Sequence, residues 1–135
     1  MRLTADARDG VHNVDVEISD ANVNEALEWL LKLNGKQHTL LSLEREDGWR
    51  IMVGGGPIRY VVILGNGDDN LTLENPRGKQ STIIELCAGG QFGDYSETVC
   101  VGPERAVNAV SLFFEGREQE EQWGGDVFGP GRVRK

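Results

Sequence analysis

Thr98 to Trp123, TVCVGPERAVNAVSLFFEGREQEEQW, joins an apolar run to the clearest helix in the chain. Thr98 to Val101 is β-branched and apolar and predicts a strand leading straight into that helix. Gly102 can cap, Pro103 falls at the first helical position, where a missing N–H costs nothing, and Glu104 suits the positive end of the helix dipole. Ala106, Val107, Val110, Phe113 and Phe114 recur at helical spacing and form one apolar face, and Gly116 is placed to end the helix in the left-handed conformation. Two phenylalanines in the last turn require a sheet to bury them.

Upstream, that sheet is legible. Val14, Val16 and Ile18 alternate with Asp15 and Glu17, a strand with one buried face, preceded by a loose segment over residues 1–12. Asn22 followed three residues later by Glu25 predicts a capping box. Val23, Ala26, Leu27, Leu30 and Leu31 then predict a first helix, closed by Gly35, with Trp29 flanking its apolar stripe. From Thr39 the period changes to two. Leu41 and Leu43 run into the turn Arg45-Glu46-Asp47-Gly48, and Trp49, Ile51 and Val53 run out of it, a hairpin. Tyr60 to Leu64 is a continuous apolar run typical of a central strand, Leu71 and Leu73 form its return, and Thr82 to Cys87 resumes a strand. Residues 88–94 read as a loop before a strand beginning near Glu97. Trp123 with Val127 and Phe128 predicts a final strand, and residues 129–135 a flexible basic tail. The expected fold class is α+β: a single domain over 1–135, a mainly antiparallel sheet of about six or seven strands and two helices, in the order β-α-β-meander-β-α.

Composition bounds the function. At 135 residues the chain suits one domain, and chains of this size bury roughly 68% of their unfolded surface, enough for one core without metals or disulfides. No apolar run approaches the ~20 residues of a membrane span, and the first residues hold no apolar signal core, so the expected location is the cytoplasm. Cys87 and Cys100 lie in apolar surroundings and read as buried free thiols, with a bridge between neighbouring strands left open. The net charge of −8 repels nucleic acid and anionic membrane and suits a basic protein partner.

Signals for catalysis are weak. Gly54-Gly55-Gly56-Pro57 lacks the Lys-Ser/Thr and the following helix of a phosphate loop. Gly65 to Asn70 lacks the closing glutamate of a calcium loop. His12 and His38 lie in no metal or nucleophile motif, so no enzyme, metal or cofactor is expected.

The order of elements resembles the Imm1 family of immunity proteins from bacterial polymorphic toxin systems. The resemblance rests on a strand–helix unit ending in Phe113-Phe114-x-Gly116, an acidic spacer and Trp123, after a middle containing TLLSLEREDGWRIMV (39–53) and YVVILGNGDDN (60–70). It covers Val14 to Phe128 and leaves the triple glycine and the basic tail unplaced. It implies stoichiometric binding, without catalysis, to a cognate toxin domain, often a deaminase or nuclease. On that reading Asp68 and Asp69, or Glu118, Glu120 and Glu121 beside Trp123, stand in for phosphates, as alternative patches, with Trp123 as the aromatic anchor if exposed. Rival readings are a small-ligand-binding or regulatory domain with a pocket lined by Tyr60, Trp49 or Phe92, and a subunit of a larger assembly. Oligomeric state stays open.

Overall fold

Two-residue alternation begins at the second residue and builds sheet before it builds helix. In the computed structural model of the protein, which describes residues 1–125, β1 (Arg2–Asp9) and β2 (His12–Ile18) form an antiparallel hairpin turned at Gly10, φ 64°. Helix α1 (Val23–Lys32) follows, then β3 (Leu40–Glu44), β4 (Arg50–Gly55), β5 (Tyr60–Gly65), β6 (Asn70–Leu73), β7 (Ile83–Ala88), β8 (Gln91–Ser96), α2 (Pro103–Glu115) and β9 (Trp123–Gly125). Seven strands make one sheet in the order β2-β1-β3-β4-β5-β6-β9, every neighbour antiparallel, and β7–β8 form a separate hairpin. The protein is α+β.

The layers follow from alternation along β5. Tyr60, Val62 and Leu64 enter the main core with Leu3, Leu41, Leu43, Ile51 and Val53, covered by Ala26 and Leu30 of α1 and by Ala106, Val110 and Phe113 of α2. Val61 and Ile63 point the other way, to Leu86, Ile84 and Tyr95 of the β7–β8 hairpin and to Cys100. The helices therefore cover one face and the hairpin the other. The triple glycine finds its reason here. A Cβ on Gly54 would lie 2.6 Å from the Ala88 Cβ, so the bare strand is the seat on which the hairpin rests.

Three of the four expected caps agree with the sequence; the exception is Gly35, because α1 ends at Lys32 with Leu33 as an extended C-cap whose N–H donates to the Leu30 carbonyl. Asn22 and Glu25 make both bonds of a capping box, Gly102 is the N-cap before Pro103, and Gly116 ends α2 at φ 71°. Other expectations need correction. Residues 1–12 are not a loose segment: β1 lies second in the sheet with Leu3 and Ala5 buried, its signal weakened in sequence by small alanines. The element order accordingly starts with two strands rather than one. Val14, 69% exposed, lies on the edge strand with no further strand to cover it. Leu31, inside α1, is 63% exposed beside the buried line of Ala26 and Leu30, and Leu33, just beyond the helix, is buried.

Thr98 to Val101 is not a strand. Residues 97–99 form a 3₁₀ turn capped by the Ser96 side chain, the Asn75 amide donates to the Glu97 and Cys100 carbonyls, and only Val101 bridges to Tyr60. Residues 88–94 are not a loop, since Gly89 and Gly90, both at positive φ, make the two-residue turn that starts β8. Among the described residues the last strand is β9, where Trp123 pairs with Leu73. Val127, Phe128 and the tail at 129–135 lie outside the described residues.

Candidate functional site

Register places two turns side by side. Arg50 of β4 pairs with Gly65 of β5, so the β3–β4 turn at 45–49 and the β5–β6 turn at 66–69 project from the same end of the sheet. Helix α2 ends there too, because Arg45 donates from its guanidinium to the Phe113 carbonyl at 2.9 Å. The turns are acidic and exposed. In the second, the Asn66 side chain accepts the main-chain N–H groups of Asp68 and Asp69 at 2.9 and 2.8 Å, a local lock on the backbone. Neither aspartate has an ion-pair partner among the described residues, and both side chains face water. Glu46 on the neighbouring turn is exposed as well.

The acidic run after α2 has a different fate. Glu118 forms a fork-to-fork pair with Arg45, both contacts at 2.9 Å, with side chains only 14% and 16% exposed. Burial works to raise the Glu118 carboxyl, but the Arg45 hydrogen bonds outweigh it and hold the group below its ordinary value. Glu121 repeats the pattern: burial opposes its charge, and bonds from Asn108 and Arg105 prevail. Glu120 is exposed yet bonded to Arg117 at 2.6 and 2.8 Å, and Arg117 also holds Glu115. Trp123 packs half-buried against the main core and donates its indole N–H to the Glu118 carbonyl at 2.8 Å. Glu118, Glu121 and Trp123 are therefore struts that fasten the segment after α2 to the β3–β4 turn, α2 and the core. They do not form a free contact patch, and Trp123 is no exposed anchor. Among the described residues, Asp68 and Asp69, with Glu46 on the neighbouring turn, are acidic groups without an ion pair at this end, and the exposed Arg50, opposite Gly65, is a cation without one.

A second polar cluster has the residue types of a catalytic set without the connections. Asp6, buried in β1, accepts from the Thr39 N–H and hydroxyl, the Leu40 N–H at 3.0 Å and the Arg8 guanidinium at 2.7 Å. Burial raises its carboxyl, and these donors more than reverse the effect. The Thr39 hydroxyl also accepts the Gly90 N–H at 3.0 Å. His38 donates from Nδ1 to the Asp6 main-chain carbonyl rather than to Thr39. Both the proton and an acceptor site of the hydroxyl are thus committed to joining the hairpin tip to the sheet. The cluster is a clasp. Cys100 is also structural: fully buried, it is pushed up to about 11 by burial and stays a thiol at neutral pH. Cys87 is likewise buried and free.

The expected pocket is not assembled. Tyr60 is buried with its hydroxyl on the Pro57 carbonyl, Trp49 packs on the helix side at the acidic end, and Phe92 stands 70% exposed on the outer face of the β7–β8 hairpin. Beside Phe92 on that face, Glu85 lies directly across from Asp94, both exposed, an opposition of like charges that weakens the hairpin. In the sequence this pair is hidden by reading residues 88–94 as a loop, and the Gly89-Gly90 dipeptide is the signal for the turn that brings it together. Among the described residues, no group of three or more His, Cys, Asp or Glu side chains is placed to hold a metal ion, and no helix is long and apolar enough to cross a membrane. No protein-family model matches the chain, and a search of curated proteins finds no relative.

Proposed function

We propose that the protein is an immunity protein that binds a cognate bacterial toxin domain one to one and neutralises it without catalysis. The toxin is a nucleic-acid-targeting deaminase or nuclease with a basic substrate cleft, and the complex forms in the cytoplasm. One observation carries the reading: Asp68 and Asp69 present unpaired carboxylates on a turn whose backbone is already fixed by Asn66. Two charges held in place lose little freedom on binding, and they can occupy the positions that phosphates take in a basic cleft. The net charge of −8 adds long-range attraction to such a partner and repulsion toward nucleic acid itself.

The test is growth of a host expressing the C-terminal domain encoded immediately upstream, with and without this protein, paired with a titration of the purified pair. Rescue with tight equimolar binding is the expected result. A harmless neighbour, or toxicity unrelieved by the folded protein, removes the proposal.

A further inference from the structure

Among the described residues the sheet ends at β2, and the protection of this edge is limited to the charges of Asp15 and Glu17. Lysine, proline and bulges are the common means of keeping an edge strand from pairing with another chain. His12–Ile18, HNVDVEI, contains none of them and pairs with β1 one to one through all seven positions. The outward hydrogen-bonding groups can be assigned. In β1 the Arg8 N–H turns to the Gln37 carbonyl at 2.8 Å and the Asp6 carbonyl receives His38, so residues 6 and 8 direct their main chain away from β2. Their register partners Asp15 and Asn13 must therefore direct theirs outward, and alternation adds Glu17. None of these N–H groups has a partner among the described residues.

We propose that the β2 edge takes up an extended strand of a partner protein whose side chains alternate between lysine or arginine and aliphatic residues. The alternation matches β2 itself. Asp15 and Glu17 stand on one face: Asp15 accepts from the Asn13 amide at 2.8 Å and has no ion pair among the described residues, and Arg2 reaches Glu17 only at 4.0 Å and is shared with Glu44. Val14 stands on the other face, 69% exposed, beside half-buried Val16 and Ile18. A strand laid alongside places basic side chains by the carboxylates and aliphatic ones over Val14 and Val16, while its main chain satisfies Asn13, Asp15 and Glu17. The same charges disfavour a second copy. Antiparallel self-pairing centred on Asp15 or Val16 opposes Asp15 to itself or to Glu17. The proposal does not depend on what the partner does, and so stands apart from the immunity reading.

A capped peptide of alternating lysine and valine, about nine residues long, is the probe, with amide hydrogen exchange of the whole protein as the readout. It should protect the amides of Asn13, Asp15 and Glu17, while a peptide of equal charge with proline at alternate positions should not. Asp15→Pro removes an outward N–H and leaves the β1 ladder in place, as edge strands tolerate; it should weaken binding by about tenfold. The double variant Asp15→Lys with Glu17→Lys keeps the backbone and should exchange preference, binding a glutamate–valine peptide instead. Equal protection by the proline peptide, protection confined to the acidic turns, no protection at all, or dimerisation through β2 would each overturn the proposal.

Discussion

The turn at Asp68-Asp69 and the segment Glu118–Trp123 are both acidic, and Glu118 lies at the same end of the sheet as the turn, yet the two do opposite things with their charge. In the turn, the backbone is fixed by a neutral side chain, Asn66, and the carboxylates are left over. In the segment, the carboxylates are themselves the fixings, consumed by Arg45, Arg105, Asn108 and Arg117. Equal sequence polarity thus yields a surface in one place and a fastening in the other. What separates them is whether a guanidinium reaches the carboxylate: Arg45, Arg105 and Arg117 do, and Asp68 and Asp69 have no ion pair among the described residues.

The contrast predicts a ranking of effects. Glu118→Ala removes both contacts of the less exposed of the two carboxylates on Arg45, which keeps the Phe113 carbonyl and Asp47, and should cost roughly 2 kcal/mol, the scale of a lost charged hydrogen-bond pair, measured by chemical denaturation. Next comes acid sensitivity. Glu118 and Glu121 are held below their ordinary value of 4.5 in the folded protein, so their contribution is complete above that pH and is lost as pH falls through the lowered values. Thermal midpoints should therefore decline below about pH 4.5, and Glu118→Gln should flatten that decline; an unchanged acid limb would show the pair contributes nothing. Glu121→Ala should cost about 1 kcal/mol, since Arg105 keeps its bond to the Glu74 carbonyl. Asp68→Lys with Asp69→Lys should leave stability within about 0.5 kcal/mol. Against the cognate partner, the same double variant should slow association and alter its salt dependence, as read by stopped-flow. A large stability loss there would erase the distinction between the two regions.

What sequence could supply follows the same physics. Local signals were decisive wherever a residue acts on its near neighbours. Asn22 caps Glu25, Gly102-Pro103 opens a helix, Gly116 closes one, and the β3–β4 and β5–β6 turns announce themselves by composition. Those signals gave the α+β class and the two helices. Long-range partnership was not legible. Nothing near Glu118 in the chain says that Arg45, 73 residues away, will claim it, and nothing around Thr98 says that Asn75 will take the carbonyls a strand would have paired. The N-terminal strand is hidden for a further reason: Ala5 and Ala7 are too small to mark an apolar face, although Ala5 pairs on both sides and Ala7 pairs with Val14.

The glycine seat under the hairpin carries a consequence for how the protein can vary. Gly54 and Ala88 share one small volume, and a methyl group at position 54 collides with the one already at position 88. Neither position is free alone, but the sum is. Gly54→Ala should be harmful, and Ala88→Gly introduced with it should restore much of the loss, so the two sites are expected to drift through evolution as a linked pair, trading a single methyl back and forth across the layer.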